Sequence, residues 1–496
     1  GGRYAVHASP AHGSSVLVVG GGIAGVSSAY FLAKQGYAVT VLDQAPDLGP
    51  GAVSASACNA GWHRPQQHSP LTSPKYVWLA LTSLPRPEGS SALCVCPQYF
   101  LMDPEWLRFG VRFLTASLSG SLRRATSAVN LELSQFSAEM LHRVAQEEGI
   151  RDDEWDREDI GWHNVCLDNP ELVSTLAEGA DQARAEGFPS TVHESSEAQS
   201  LCSGSGYSKR VQGMVYEEQP FIGDCQKFVQ CLAAVSVRRY GAQFVHNAEA
   251  VQLHSEADRI TGVQTADGRE FTADLVVLAN GAWAPRLAAT AGVSLPVIPT
   301  KGYTIEMPLP EKVRNTLGPA PSLFPHSNLA VTVFASKTFS LDKKSGCTAR
   351  IRFATGAEFS PMEAPSRPAM IEYLRRAAKE VAPKVLAPSI DAAKVRVGAR
   401  PQTPDDLPIV SGTKYSNLYV NTGGGSYGWR WGCGMSAMLA RLVTGTDLYR
   451  TQHPMPALAG TSLERFRLQP YLRRLLGRPG CGAAVARAPP LLPSPA

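Results

Sequence analysis

The stretch SSVLVVGGGIAGVSSAYFLAKQGYAVTVLD, Ser14 to Asp43, runs almost uncharged through three consecutive glycines and ends on a single acid. Val16, Leu17, Val18 and Val19 form a short apolar run cut off by glycine, the pattern of a buried parallel strand. Ile23, Val26, Tyr30 and Ala33 then recur at helical spacing, and Gly36 falls where a left-handed C-terminal cap belongs. Val39 to Leu42 reads as a second strand.

Between the first strand and the helix, Gly20, Gly22 and Gly25 match G-x-G-x-x-G, and each glycine has its own task in that fingerprint. Gly20 permits the tight turn. Gly22 lets the backbone approach a pyrophosphate, whose charge is met by amides and the dipole of the helix N-terminus. Gly25 lets the helix close on the sheet. Asp43, ending the second strand, can accept hydrogen bonds from a pair of ribose hydroxyls. An acid here, in place of an arginine, argues against a 2′-phosphate and points to NAD or FAD.

At 496 residues the chain exceeds what one core supports, which implies two domains with room to interleave. Charged residues make up 18% and the net charge is +4, so no nucleic acid or other polyanion is implied as a partner. No apolar run reaches the length that spans a bilayer. The ten cysteines lack C-x-x-C spacing, which favours reduced thiols over a disulfide framework or zinc site, and no metal is expected. Cys94 and Cys96, the nearest pair, read as unrelated neighbours in a loop. The opening GGRYAVHASPAHGSS lacks acids and is compatible with the tail of a chloroplast or mitochondrial transit peptide, so residues 1–14 are expected to be disordered or a residual targeting segment. GCGAAVARAPPLLPSPA closes a C-terminal extension, 451–496, with a Pro/Ala-rich tail expected to be disordered.

Downstream of the first βαβ unit, GPGAVSASACNAGWHRP is a small-residue loop able to lie flat against a ring system. Residues 103–149 read as helical, with an amphipathic pattern from Ala128 to Glu148. From Gly161 short strands and turns take over, as in a second domain built around a sheet. Ala248 to Leu287 reads as three strands separated by polar turns, and the last, Leu275 to Leu278, runs into Ala279, Asn280 and Gly281. That ending fits either a chain returning beside a cofactor or a plain hairpin. Further on, Leu418 to Val420 reads as a strand, Gly423 to Gly428 as a glycine-rich loop and Gly434 to Val443 as a helix, again presenting amide donors.

The order of GGGIAG, CNAG, GDC at Gly223 to Cys225, VVLANGAW, KGY, ARPQTPDDLP and NTGGGSYGW resembles the D-amino acid oxidase superfamily of FAD-dependent oxidoreductases. Within it the sequence is most similar to the bacterial D-amino acid dehydrogenase branch, from about Val16 to Gly445. The resemblance implies an α/β fold in which a Rossmann-like FAD-binding domain (15–102, 220–297 and 396–450) is interleaved with an α+β substrate domain containing a mixed β-sheet (103–219 and 298–395). It further implies FAD held by Gly20, Gly22, Ile23, Ala24, Gly25, Asp43, Gln44, Asn59, Ala60, Gly61, Val251, Ala279, Asn280, Gly281, Gly425, Ser426, Tyr427, Gly428 and Trp429.

In such enzymes hydride passes from the substrate α-carbon to flavin N5, and water hydrolyses the resulting imine to a 2-oxo acid and ammonia, with no strong side-chain base required. The implied activity is oxidative deamination of D-amino acids; a glycine or sarcosine oxidase, and a flavin-binding assembly factor without turnover, are the alternatives. Arg400 of the G-x-R-P motif is expected to grip the substrate carboxylate with its planar fork, the competing reading being a surface ion pair with Asp405 or Asp406. Tyr303, Tyr427 and Trp429 are expected to wall the substrate pocket, and Lys301 to lie at the flavin edge or in solvent.

Three positions depart from family patterns. Gly424 stands where many relatives carry a histidine. Cys58 stands where some N-methylglycine dehydrogenases attach flavin through histidine, and is expected to be an inert buried thiol. Gly398 replaces a cysteine through which other members link flavin, which excludes that linkage. The dehydrogenase branch also implies a quinone or another carrier as electron acceptor. LERFRLQPYLRRLLGR, Leu463 to Arg478, interleaves apolar side chains with arginines, so it is expected either to touch an anionic membrane surface or to pack on its own domain.

Overall fold

The computed structural model describes residues 13–49, 54–64, 70–84, 89–314, 316–335 and 349–467. The Pro/Ala-rich tail, residues 1–12 and Leu468 to Arg478 lie outside them.

The first strand, β1 (Ser15–Val19), is buried apart from its first residue because it sits in the middle of a six-stranded sheet. It pairs in parallel with β2 (Ala38–Leu42) on one side and with Leu275–Leu278 on the other. Gln243–Val245 and Leu418–Thr422 extend the parallel sheet outward, and Ile409–Gly412 closes one edge antiparallel. Helix α1 (Ile23–Lys34) is apolar nearly all round because it is enclosed between this sheet and the helices Cys225–Tyr240 and Gly428–Thr444. Gly36 takes a φ of +86° just past its end, as the sequence requires.

The helix after the last glycine loop begins at Gly428, six residues earlier than its composition suggests. Gly432 and Gly434 lower helix propensity, yet neither position has room for a side chain. A Cβ on Gly432 would overlap the Ile23 side chain, and one on Gly434 would lie 2.6 Å from Ser137 Cβ. These glycines let the helix press against α1 and the long helix Gly120–Glu148. Residues 103–149 form two helices, Pro104–Leu118 and Gly120–Glu148, with the Ser119 hydroxyl accepting from the Leu122 amide to cap the second.

A nine-stranded mixed sheet forms the second layer; at one end of it run the antiparallel Val395–Gln402, which is the edge strand, Ile298–Leu309 and Ala349–Phe359. Together the two sheets make the α/β architecture expected from the sequence. The element partners cut across two expected domain boundaries. Val395–Gln402 spans the boundary at 396, yet it pairs with Ile298–Leu309 over its whole length. Gly120–Glu148 packs against Gly428–Thr444 rather than standing with the mixed sheet. Between Ala248 and Leu287 there are four strands where three were expected. Ala250–Glu256, Arg259–Thr265 and the two-residue Glu270–Phe271 form a separate antiparallel sheet, and Leu275–Leu278 joins the parallel one. Glu270–Phe271 is too short to show alternation.

Candidate active site

A cavity of about 420 Å³ opens at the carboxyl ends of β1, β2 and Leu275–Leu278, the place where an open parallel sheet binds ligands. It gathers Gly20, Gly22, Ile23, Ala24, Asp43, Gln44, Asn59, Val251, Ala279, Asn280, Gly281, Gly425, Ser426, Gly428 and Trp429 from six separate chain segments, together with Arg400.

The glycine loop is sterically determined. Gly20 has a φ of +110°, and a Cβ there would lie 2.7 Å from the Ala279 carbonyl oxygen. A Cβ on Gly25 would overlap the Gly20 carbonyl oxygen, so Gly25 shapes the turn and does not line the cavity. Gly25→Ala is therefore expected to abolish FAD uptake by the apoprotein, read as loss of FAD fluorescence quenching, while far-UV circular dichroism keeps most of its helical signal. Quenching at the wild-type level would contradict this account of the loop. Asp43 Oδ2 accepts from the Gly21 amide at 2.5 Å and Oδ1 from Ala45 at 2.8 Å, which ties the loop to the end of β2 and leaves the carboxylate further lone pairs.

Asn280 Oδ1, Gln226 Oε1, Asn421 Oδ1 and Trp429 Nε1 are buried atoms of lining residues with no hydrogen-bond partner among the described residues. Buried polar groups are rarely left so. The cavity itself is met by α1, which directs its N-terminus, free of acids in its first turn, toward this space, where amides and dipole suit a pyrophosphate. The residues present thus fit FAD.

One wall of the cavity is held from outside by three neighbouring strands. Thr304 Oγ1 donates to the Cys58 carbonyl at 3.0 Å, Arg352 Nη1 to Asn59 at 3.0 Å and Thr332 Oγ1 to Ala60 at 2.8 Å. Ala60 and Gly61 do not line the cavity, contrary to expectation, because they serve this anchoring. Gly61 has a φ of +78°, and its amide donates to Asn59 Oδ1 at 2.8 Å. Burial pushes the Cys58 thiol up, which makes it a poor nucleophile. A Cβ on Gly398 would sit 2.6 Å from Cys58 Cβ, so this backbone has no space for cysteines at both places.

Arg400 enters from Val395–Gln402. Its Nη1 donates to the Gly356 carbonyl at 2.7 Å, and its guanidinium lies across Gly302, where a Cβ would be 2.6 Å from Nη2. Among the described residues it makes no ion pair. Asp405 instead forms a two-point pair with Arg465, at 2.8 and 3.0 Å. Asp406 accepts from Leu71 N and Gln402 Nε2, both at 2.7 Å, and burial pushes its carboxyl up to about 6. The surface-pair reading of Arg400 is therefore not realised, and burial lowers its guanidinium pKa with no acid to offset it.

Neither tyrosine expected to wall the pocket lines it. Tyr303 is buried, its hydroxyl on the Glu358 carboxylate and its ring against Gly356, so it supports the residue that holds Arg400. Tyr427 is buried with the Arg430 guanidinium 4.3 Å from its ring centre. Lys301 is neither solvated nor in the lining: its ammonium donates to the Ala364 carbonyl, and burial lowers its pKa. Cys94 lies in the strand Leu93–Val95, not in a loop, and Cys96 just beyond it accepts from Arg367 Nη2 at 3.2 Å through its sulfur. At Gly424 a Cβ would be 2.7 Å from Gly428 Cα, so the histidine of relatives has no room on this backbone. Arg465 and Phe466 are buried, Phe466 in the core, so this part of the expected membrane segment packs on its own domain. Sequence reasoning missed Gly302, Ser56 and Met435 in the lining. Gly302 stood inside the KGY motif without a task, and Ser56 Oγ, accepting from Ile23 N at 3.0 Å, carries no sequence signal.

Comparison with known proteins bears on this geometry. The model of the DAO family, FAD dependent oxidoreductase, matches residues 15–442. D-amino acid dehydrogenase of Methylobacterium sp. (strain 4-46) is 30% identical, with 91% of this chain and 99% of that protein aligned. Among solved structures, L-proline dehydrogenase from P. horikoshii superposes with a TM-score of 0.61 at 20% identity, covering 92% of this chain and 98% of its own. Glycine oxidase from Geobacillus kaustophilus gives 0.59 at 21% identity, covering 92% and 99%. The chain belongs to the DAO family and is an FAD-dependent oxidoreductase.

Proposed function

We propose that this enzyme oxidatively deaminates D-amino acids to 2-oxo acids and ammonia. The observation that carries the reading is Arg400, a guanidinium in the cavity lining that makes no ion pair with any described carboxylate. A planar fork of this kind matches a carboxylate in two-point fashion. Its Nη1 bond to Gly356, itself backed by the Tyr303 ring, keeps the fork from swinging and fixes where the substrate α-carbon stands.

FAD, when bound, supplies the hydride acceptor. Gly302, Gly398, Ala399 and Pro401 surround Arg400 in the lining, and the described lining acids, Asp43 and Glu249, belong to segments following β2 and Gln243–Val245. The residues around Arg400 therefore supply no base. The amine must arrive neutral, and the imine is hydrolysed by water. Identity to D-amino acid dehydrogenases over nearly their whole length supports the D-amino acid substrate class and a carrier such as a quinone as electron acceptor.

Anaerobic mixing of the purified holoenzyme with D-amino acids, glycine, sarcosine and L-proline tests this reading. D-amino acids are expected to bleach the flavin fastest. Faster bleaching by glycine, sarcosine or L-proline would replace it, and no bleaching by any amine would make the protein a flavin-binding factor without turnover. Acid precipitation is expected to leave FAD in the supernatant, since the buried Cys58 thiol does not favour attachment. Flavin in the pellet would contradict that expectation.

A further inference from the structure

A carboxylate taken fully out of water is costly unless donors meet it, so a buried acid outside the cavity calls for an explanation. Glu358, the penultimate residue of Ala349–Phe359, is such a group. Its Oε1 accepts from Ser360 Oγ at 2.6 Å, and its Oε2 accepts from the Tyr303 hydroxyl. Arg367 Nε stands 4.0 Å from Oε1, and the Arg367 amide donates to the Tyr303 oxygen at 3.3 Å. A hydroxyl that donates on one side and accepts on the other is fixed in place. The far end of the Tyr303 ring is therefore pinned.

The near side of that ring meets an irregularity in the sheet. Between Lys301 and Tyr303 the pairing of Ile298–Leu309 with Ala349–Phe359 shifts register, so that Gly302 alone stands opposite Gly356 and Ala357. A bulge of this kind leaves backbone groups out of the ladder and re-aims them. Gly356 has a φ of +91°, and its carbonyl accepts from Arg400 Nη1 at 2.7 Å. A Cβ on Gly356 would lie 3.0 Å from Tyr303 Cδ2 and 3.3 Å from Met370 Cε, so the bulge cannot move toward the ring. Among the described residues, that carbonyl is the guanidinium's one hydrogen-bond partner. Where the bulge stands decides how Arg400 points.

We propose that Glu358 and Tyr303 are positioning residues for the substrate carboxylate: the acid pins the tyrosine hydroxyl, the ring fixes the Gly356 bulge, and the bulge carbonyl sets the angle of the Arg400 fork. Neither side chain lines the cavity, so both act through Arg400 and neither touches the substrate. Small displacements of a group that orients a reactant are expensive, which is why such a remote acid has leverage. The proposal rests on the carboxylate role of Arg400 given above, but not on which amino acid is oxidised.

Anaerobic rapid mixing of the full-length holoenzyme with whichever amino acid reduces the wild-type flavin fastest tests it. Tyr303→Phe keeps the ring and removes the hydroxyl. It is expected to raise the half-saturating concentration about tenfold, with the limiting rate within about threefold of wild type and an unchanged flavin spectrum. Glu358→Gln retains an acceptor for the hydroxyl and is expected to stay within about threefold of wild type in half-saturation. In the Arg400→Met background Tyr303→Phe is expected to add less than about twofold, because its effect passes through the missing guanidinium. Wild-type half-saturation in Tyr303→Phe would overturn the proposal. So would an undiminished tenfold effect in the Arg400→Met background, which would show that the tyrosine acts elsewhere. Ser360→Ala, which removes the other donor to Glu358, serves where Tyr303→Phe does not fold: a rise of about threefold that vanishes in the Arg400→Met background is expected, and no rise would overturn the proposal. Failure of the underlying reading shows separately, as normal half-saturation in Arg400→Met alone or as no reduction by any amino acid, and either result would remove the proposal with it.

Discussion

Arg400→Met is expected to raise the amino acid concentration needed to reduce the flavin by about 30-fold to several thousand-fold while leaving the flavin spectrum unchanged. Removing one partner of a largely desolvated charge pair costs about 2–5 kcal/mol, and each 1.4 kcal/mol is about tenfold in binding. The spectrum should hold because the arginine's hydrogen bond runs to the Gly356 carbonyl, and a methionine of similar length fills the space above Gly302. Rapid-mixing measurements of flavin reduction against D-alanine concentration read the effect. Arg400→Lys keeps the charge but loses the fork, so it should fall between the two. Normal half-saturation in Arg400→Met would mean that the carboxylate binds elsewhere.

Asp224→Asn is expected to have the largest effect on stability, about 3–5 kcal/mol, because it leaves a cluster of buried cations short of an anion. Asp224 Oδ2 lies 2.5 Å from Arg350 Nη2 and 2.9 Å from Arg352 Nη2, and all three side chains are buried. Arg350 also pairs with Asp156 at 2.8 Å, and Arg352 with Glu306 at 2.5 Å. Asparagine preserves the cap, since Oδ1 accepts from the Gln226 and Lys227 amides at 2.9 and 3.1 Å, so the variant isolates the charge. Arg352 is also the residue that holds the Asn59 carbonyl, so loss of this anion should loosen one wall of the cavity as well as the core.

The same residue sets a direction with pH. Burial alone would raise the Asp224 carboxyl, but Arg352, Arg350 and the Lys227 amide outweigh it and hold the group well below the usual carboxylate range. A depressed pKa in the folded state gives stability that is fully present above the unfolded value of about 4 and is lost as pH falls toward the folded value. Thermal unfolding of the wild type should therefore weaken steeply below about pH 4. Asp224→Asn should start lower at neutral pH and show a shallower acid limb. Parallel curves for the two proteins would show that the carboxylate carries no such linkage.

The opening βαβ unit was readable because its information is local: an apolar run, three glycines with separate steric tasks and an acid at the end of the next strand all lie within thirty residues. Arg400 was readable as a residue but not as a geometry. Its supports, Gly302, Gly356 and Tyr303, come from two other strands of the mixed sheet, and their meeting depends on pairing across long sequence separations. The three-point hold on Cys58, Asn59 and Ala60 was hidden for the same reason, since Thr304, Thr332 and Arg352 each look ordinary in their own strands. Tyr303 and Tyr427 were misplaced because an aromatic side chain serves a core and a pocket wall equally well. Gly432 and Gly434 concealed the start of their helix because the close approach that requires them is visible only once Ile23 and Ser137 are beside them.

The measurement that bears most directly on the central claim is anaerobic reduction of the wild-type flavin by D-alanine, L-alanine and ethylamine under one set of conditions. With Arg400 gripping a carboxylate and fixing the α-carbon, D-alanine should reduce the flavin at least a hundredfold faster than either comparator, a difference of about 2.7 kcal/mol in the barrier. Equal rates for D- and L-alanine, or for D-alanine and ethylamine, would contradict the account.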